Sequence, residues 1–237
     1  MVKLTGNSEL RKVFYAMGGI TDEATLNFSP LGLELREMNP SSISMLSTTL
    51  KPSLLPVYEA GEGVKVGVNL ENLNKMLKTL DNTDFSIEVK NDIIDIKTEH
   101  RTLSVPVIEV KSRPERDITL EYTTALRFNV GNFKEILKNA KQISAYINFK
   151  VNNGMLIVDS EGDIGSMSNS YSNVIIKNTE PLTNVCFSIE ELANLIKQAN
   201  KNDSIDIYLK QDEPLKVVYE LAGQTIRGFI APYMEDA

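Results

Sequence analysis

The side chains that could perform nucleophilic, acid–base or metal chemistry are few among the 237 residues of this chain. The one histidine, His100, lies among charged residues in "KTEHRTL", which is more typical of a surface side chain than of a general base. The one cysteine, Cys186, lies in the apolar run "TNVCFSI", which is typical of a buried structural cysteine. The sequence has no phosphate-cradling glycine loop, no nucleophile elbow and no histidine-rich metal spacing. We therefore expect no catalytic residue, no metal site and no cofactor.

The remaining groups that could perform chemistry are clustered carboxylates. The cluster Glu161–Asp163 could bind a divalent cation. With 32 acidic residues in the chain, however, such clusters arise readily by chance, and a solvated loop is the simpler interpretation. A hydrolase with paired carboxylates is therefore the weakest hypothesis, and it would require a pocket that strongly raises a carboxyl pKa.

The composition is that of a folded globular protein, with 42% hydrophobic and 24% charged residues. The net charge of −7 argues against a protein that coats its whole surface with nucleic acid. A single cysteine excludes an internal disulfide. No apolar run approaches the ~20 residues that a membrane span requires. The start "MVKLTGNSELRK" lacks the apolar core of a secretory signal, so we expect the protein to stay inside the cell.

Two hydrophobic periods predict the elements that would position any site. Apolar residues alternate with period two on both sides of turn residues in four predicted hairpins, at 26–35, 84–99, 147–158 and 204–221. A helical period occurs at 8–17, 70–80, 132–142 and 189–201, the last preceded by a Ser188–Glu191 capping box. These patterns predict an α+β protein with mostly antiparallel strands.

The predicted elements occur twice. Residues 68–84 align without gaps on 187–203, and residues 5–14 align on 130–139. Between the copies, "VKSRPERDITLEY" has no periodicity, and its Pro114 and charged residues favour an exposed crossing strand. We predict two similar domains over 1–110 and 125–237, joined by a connector at 111–124.

Positive charge is concentrated on the predicted helices. They hold nine basic and five acidic residues, whereas the rest of the chain holds 16 basic and 27 acidic residues. On one helix this excess would indicate no more than a solvated face. On all four helices it predicts a cationic surface that could bind a polyanion weakly and without sequence preference. The basic residues are Arg11, Lys12, Lys75, Lys78, Lys134, Lys138, Lys141, Lys197 and Lys201.

Four stretches carry a family resemblance over essentially the whole chain. They are "LGLELREMNPSSISML" (31–46), "VGVNLENLNKMLK" (66–78), "DEPLKVVYELAG" (212–223) and "FIAPYMED" (229–236). In their order and spacing the chain resembles the proliferating cell nuclear antigen family of DNA sliding clamps, specifically its archaeal members. The resemblance implies a DNA-clamp fold of two similar domains, with antiparallel sheets outside and four helices lining one face, and it implies a subunit of a trimeric ring.

The resemblance also implies the function. A ring of this kind encircles duplex DNA as a processivity factor and needs no catalytic group, and the nine basic residues would be its DNA-binding residues. Gly18, Glu135 and Glu190 depart from basic positions of the family and make the predicted channel less positive. The alternative is a subunit of a heterotrimeric clamp, or a recruitment adaptor of the same fold that does not encircle DNA. An archaeal clamp would be cytoplasmic and associated with the nucleoid.

The apolar stretch "RGFIAPYMEDA" at 227–237 has two interpretations. It could seal the core of the second domain. By resemblance, it would instead form a hydrophobic pocket that binds short peptide motifs of a replicative polymerase, clamp loader, flap endonuclease and DNA ligase. The pocket residues would be Met38, Ile43, Met45, Pro114, Phe229, Ile230, Ala231, Pro232 and Met234.

Ring closure would use edge strands. By resemblance, strands at 102–110 and 170–178 pair between neighbouring subunits, through Val105, Val107, Ser172, Val174 and Ile176. Pro106 fits an edge because proline lacks a backbone donor for a further strand. The alternative, that both strands pair within one sheet, stays open on the residues alone.

Overall fold

The computed structural model describes residues 2–61, 63–80, 83–110 and 118–234. The chain divides into two compact units. The first consists of Met1–Glu115 with Glu220–Ile226, and the second of Arg116–Tyr219 with Arg227–Ala237. The limits 1–110, 111–124 and 125–237 stay a prediction.

The first unit alternates strands with two α-helices, and its described strand pairs are antiparallel. Its elements are β1 (Val2–Gly6), α1 (Arg11–Met17), β2 (Glu23–Ser29), β3 (Gly32–Met38), β4 (Ser44–Leu50), β5 (Val57–Glu59), β6 (Val64–Asn69), α2 (Leu70–Lys78), β7 (Phe85–Lys90), β8 (Ile93–Lys97) and β9 (Thr102–Pro106). One sheet has the order β5-β1-β7-β8-β9, and β4-β3-β2-β6 are neighbours in another. A 3₁₀ turn at Pro52–Leu54 precedes β5.

The second unit repeats this arrangement, again with antiparallel described pairs. Its elements are β10 (Thr124–Asn129), α3 (Val130–Ala140), β11 (Tyr146–Asn152), β12 (Met155–Gly162), β13 (Gly165–Tyr171), β14 (Ile175–Asn178), β15 (Leu182–Ser188), α4 (Ile189–Leu195), β16 (Ser204–Leu209), β17 (Leu215–Leu221) and β18 (Gln224–Ile230). The end of β17 and the start of β18, within Glu220–Ile226, belong to the first unit. One sheet has the order β13-β12-β11-β15, and β14-β10-β16-β17-β18 are neighbours in another. The predicted antiparallel strands and four helical segments are confirmed.

Local sequence explains where helices begin and hairpins turn. Three helices begin after a residue whose side-chain oxygen accepts the backbone N–H three positions later: Asn69 from Asn72 (2.8 Å), Asn129 from Asn132 (3.1 Å) and Ser188 from Glu191 (3.3 Å). Asn91 and Asp92, at the predicted β7–β8 turn, have φ of 49° and 59°. Asn153 and Gly154 repeat this geometry between β11 and β12 with φ of 50° and 74°, as two-residue hairpin loops require.

Each unit has its own aromatic core, which supports its helices. Phe14, Phe28 and Phe85 are fully buried in the first unit, and Phe133, Phe149 and Phe187 are fully buried in the second. The apolar stripes of α2 and α3 face inward, which leaves their polar faces to solvent. Among the described residues, no helix has the length and apolar character needed to cross a membrane.

The structure corrects three predicted elements. The strand predicted at 102–110 is shorter, because β9 ends at Pro106. The helix predicted at 189–201 is shorter than expected, because α4 stops at Leu195 and a turn follows at 196–198. Further along, Asn200, Asn202 and Asp203 favour non-helical backbone. The strand predicted at 170–178 is two strands, β13 and β14, separated by a bend at 172–174. There the Val174 carbonyl accepts the backbone N–H of Arg127 at 2.8 Å, which transfers the chain from β12 to β10.

Candidate nucleic-acid and partner interfaces

The basic residues of α1 and α2 have neighbours that hold them at the surface. Lys12 Nζ lies 2.5 Å from a carboxylate oxygen of Glu9, and Lys75 Nζ lies 2.7 Å from Glu71. The ammonium of Lys78 lies 5.8 Å from the ring centroid of Tyr15. Exposed ion pairs of this kind are weak, so a phosphate group can replace the carboxylate as partner.

A cavity of about 980 Å³ lies beside α3 in the second unit, and one of about 650 Å³ lies beside α1 and α2 in the first unit. The smaller one is lined by Arg11, Lys12, Lys78 and Tyr15 together with a single carboxylate, Glu9. Its charge suits an anion rather than a cation.

Four of the predicted DNA-binding residues are exposed lysines of the second unit. Lys138 lies on α3, and Lys141 follows that helix directly. Lys197 and Lys201 lie beyond α4. Within the described ranges none of the four forms an ion pair, so their positive charge is open to solvent and to a bound anion.

Arg11 and Lys134 are placed differently from the other seven. The Arg11 side chain is 7% exposed and donates to the backbone carbonyls of Leu77, at 3.1 Å, and of Leu80. Lys134 Nζ donates to the carbonyls of Lys197 at 2.9 Å and Ala199 at 2.8 Å. Burial lowers the pKa of Lys134, and the nearby charge of Lys201 lowers it further.

The predicted pocket residues of the first unit lie at one hairpin. Met45 is buried, Met38 is half-buried and Ile43 is 43% exposed. The Asn39 side chain accepts the backbone N–H groups of Ile43 at 2.9 Å and Ser44 at 3.1 Å. By closing the loop between β3 and β4, the Asn39 side chain presents Ile43 to solvent in a fixed position.

Sequence reasoning did not identify Asn39 as part of this site. Its signal was the "NPSS" turn at 39–42, which predicts a loop but not the side-chain hydrogen bonds that hold it.

The predicted pocket residues of the second unit divide between core and surface. Ile230 is fully buried and Phe229 nearly so, and core sealing therefore holds for these two. Ala231 and Pro232 are half-buried, whereas Met234 is 63% exposed. Pro114 lies outside the described residues.

A contact that the sequence did not reveal holds the segment 231–234 in place. The Tyr233 ring stacks on Tyr146 with centroids 4.0 Å apart, and its N–H donates to the Cys186 carbonyl at 2.8 Å. Cys186 is half-buried here, not fully buried as predicted, because β15 lies at a sheet edge. Pro232, Tyr233 and Met234 border a cavity of about 490 Å³.

The predicted interface residues lie at or near two sheet edges. Val105 on β9 points inward and is buried, so only its backbone is available at the edge. Val107 donates its N–H to the Asp92 carbonyl at 2.9 Å. Beyond β13, Ser172 is exposed and Val174 is half-buried, while Ile176 on β14 is 55% exposed.

Protein-family models match both halves of the chain. A model of the N-terminal domain of proliferating cell nuclear antigen matches residues 1–99, and a model of its C-terminal domain matches residues 117–234. The chain belongs to the proliferating cell nuclear antigen family. The family resemblance of the sequence is thereby confirmed.

Relatives and solved structures are similar to this chain over essentially its whole length. The DNA polymerase sliding clamp of Methanococcus maripaludis is 24% identical and covers 99% of this chain and 100% of the relative. That of Thermococcus onnurineus is 27% identical, covering 98% and 97%. Proliferating cell nuclear antigen of A. fulgidus, solved with the C-terminal region of FEN-1, has a TM-score of 0.91 at 22% identity and covers 100% of both chains. The PCNA2–PCNA3 complex of Sulfolobus tokodaii gives 0.84 at 23%, covering 98% and 100%. The clamp fold is therefore confirmed.

Proposed function

We propose that this protein is a DNA polymerase sliding clamp, three copies of which close into a ring around duplex DNA. The observation that carries the proposal is the excess of basic residues on and beside the helices of each unit, in an otherwise acidic chain that belongs to the clamp family. Exposed lysines on or beside α2, α3 and α4 supply positive charge in both units.

The mechanism is topological. Phosphate contacts by scattered lysines are independent of sequence and are weakened by salt, which allows the protein to slide. The closed ring retains the DNA because a duplex cannot pass through its wall. The residues provide electrostatic attraction and no reaction step. We therefore assign the protein no enzymatic activity, and in an archaeal cell we place it at the nucleoid.

Two sheet edges that have no partner strand among the described residues support ring closure. The strands β9 and β13 are terminal in their sheets and have five and seven residues. The outer side of β6 is contacted by Ile108 N–H, and that of β15 by Tyr233 N–H. The remaining terminal strands, β5 and β14, have only three and four residues. Pairing β9 of one copy with β13 of the next would satisfy both long edges.

The proposed clamp would also recruit partner proteins to DNA. Exposed Ile43 in the first unit and Met234 in the second offer apolar contacts to a peptide. A. fulgidus proliferating cell nuclear antigen, which has the same fold, was solved with the C-terminal region of FEN-1. We extend this to short motifs of the polymerase, clamp loader, flap endonuclease and DNA ligase.

A heteromeric ring is the second candidate. The observation that favours it is the fold similarity to the PCNA2–PCNA3 complex, in which two different clamp chains assemble. In that case this chain would supply one subunit, and its free edges would pair with a different clamp chain.

The native mass of the purified protein distinguishes these candidates. Light scattering is expected to give about three times the chain mass of 26.4 kDa. Ile176→Lys should reduce that mass to one chain, because Ile176 is one of the interface residues that the resemblance predicts and, being exposed, tolerates a charge when the subunit is alone. The matched control Leu31→Lys, at another exposed aliphatic residue, should stay trimeric. A single-chain mass for the unmodified protein at micromolar concentration would contradict the homotrimer and favour the heteromeric ring.

A further inference from the structure

In each unit, a basic residue of the first helix reaches the end of the second helix. Arg11, the first residue of α1, donates to the carbonyls of Leu77 and Leu80, and its Nε also donates to the Ser8 carbonyl at 3.3 Å. Lys134 of α3 donates to the carbonyls of Lys197 and Ala199. Both side chains are thus bound to backbone oxygens of their own unit.

The target of the two cations is the same in both copies of the repeat. The gapless match of 68–84 with 187–203 places Leu80 opposite Ala199, and both of these carbonyls accept a cation. The origin of the cation differs. The match of 5–14 with 130–139 places Arg11 opposite Ile136, which is buried, and Lys134 opposite Glu9. Cations at two different positions of the first helix therefore donate to the same carbonyl position, which indicates a shared structural requirement.

Helix-end chemistry explains that requirement. The last carbonyl groups of a helix have no intrahelical donor, and the dipole makes this end negative. A glycine in the left-handed conformation commonly completes such an end. Here the residues that follow the C-caps are Leu80 and Lys197, and neither has a positive φ, so neither helix uses that device. The carbonyls of Leu80, Lys197 and Ala199 lie in the turns just beyond α2 and α4, and among the described residues no backbone N–H donates to them. The guanidinium and the ammonium supply donors to these carbonyls.

We propose that Arg11 and Lys134 are positioning residues, which fix the second helix of each unit against the first and are not phosphate ligands. The inference rests on the proposed function only where it concerns DNA. By binding the chain at these helix ends, the two cations fix the positions of Lys78, on the last turn of α2, and of Lys197, just beyond α4. The phosphate-binding surface then comprises the seven other basic residues.

Hydrogen exchange of the intact protein tests the positioning role. Arg11→Met should raise exchange severalfold at the α2 end, residues 76–80, and leave residues 196–199 unchanged. Lys134→Met should give the reverse pattern. Arg11→Lys should restore protection, because a lysine performs this role in the second unit. Lys141→Met, which removes an exposed lysine just beyond α3, is the matched control and should alter neither segment.

The outcome that overturns the positioning role is equally specific. Unchanged exchange at both helix ends in the methionine variants would contradict it, and so would equal loosening of both units by either variant. If Arg11→Met does not fold, Lys134→Met and Arg11→Lys still test the positioning role. Lys134 is less buried than Arg11, so its substitution disturbs the core less.

Salt dependence of DNA binding tests the second half of the proposal. Arg11→Met and Lys134→Met should keep the unmodified protein's slope of log affinity against log salt. Lys138→Met should reduce the slope by about one, as loss of one phosphate contact does. A comparable reduction in Arg11→Met or Lys134→Met would overturn the exclusion of these residues from phosphate binding. If no variant changes the slope while the exchange pattern holds, the DNA-channel assignment fails and the positioning role stands.

Discussion

Ile230 and Met234 are four residues apart, yet one is fully buried and the other is 63% exposed. Ile230→Ala is expected to lower the free energy of unfolding by about 2–5 kcal/mol, because it leaves a cavity in the second unit. Met234→Ala should change it by less than about 0.5 kcal/mol, while weakening the binding of a peptide motif from a partner. Denaturant unfolding and peptide titration of both variants measure the two effects. Equal losses of stability and of peptide affinity in both variants would show that the segment has one role only.

Tyr122 makes a pH-dependent contribution to stability. Burial, with the Glu213 charge as a smaller cause, raises the pKa of its hydroxyl from 10 to about 12. Among the described residues the hydroxyl oxygen has no hydrogen-bond partner, and Lys216 Nζ lies 4.9 Å from the ring centroid. Between these two pKa values the unfolded chain ionises and the folded chain does not, so the folded state holds more protons and loses stability as pH rises.

Tyr122→Phe tests this contribution. The variant should show a flatter decline of unfolding free energy between pH 10 and 12 than the unmodified protein, and should match its pH dependence below pH 9 apart from a constant offset. The comparison is made by denaturant unfolding along a pH series. Parallel curves through the alkaline range would mean that Tyr122 titrates with an ordinary pKa in the folded protein.

At the scale of elements, the repeated N-caps are the most local determinants of the fold. Asn69 and Asn129 each precede a helix and accept an N–H bond from the residue three positions later. Asn129→Ala should lower the free energy of unfolding by about 1 kcal/mol, and Asn129→Gly by only a few tenths. Asn139→Ala, within the exposed face of α3, is the control and should be nearly neutral or slightly stabilising. If alanine costs no more at Asn129 than at Asn139, the cap contributes nothing.

The elements also show which parts of the fold could be predicted from the sequence. Hairpin turns at Asn91 and Asn153 were predictable because positive φ has a strong residue preference. Helix starts were predictable from capping residues for the same local reason. The division of 170–178 into β13 and β14 was not predictable, since it depends on a hydrogen bond from distant Arg127. The early end of α4 was missed because apolar residues continue at helical spacing beyond Leu195, at Ile196 and Ala199.

Residue types in the candidate site were predictable, but their environments were not. Charge counting identified α1, α2 and α3 as cationic, but the described α4 holds Glu190 and Glu191 and no lysine, because Lys197 and Lys201 lie beyond its end. Charge counting could not tell buried Arg11 from exposed Lys12, its neighbour in sequence, because burial depends on how α1 packs on α2. The internal repeat contained a usable signal, since Arg11 aligns with the buried Ile136. The stacking of Tyr233 on Tyr146 joins residues 87 positions apart and had no local signal.

At the scale of the whole molecule, the duplicated unit and the acidic remainder have a common explanation in the proposed ring. Two units per chain and three chains approximate sixfold symmetry, and a closed ring leaves no unpaired edge at β9 or β13. The −7 net charge would keep DNA away from surfaces other than the lysine-rich helices.

Retention on circular DNA tests encirclement most directly. Protein placed on nicked circular duplex by the host's clamp loader should stay bound at a salt concentration that removes it from linear duplex with open ends. Cutting the circle once should release it, and blocking both new ends with bound protein should restore retention. Loss from circles at the same salt concentration and rate as from open linear DNA would contradict a closed ring around the duplex.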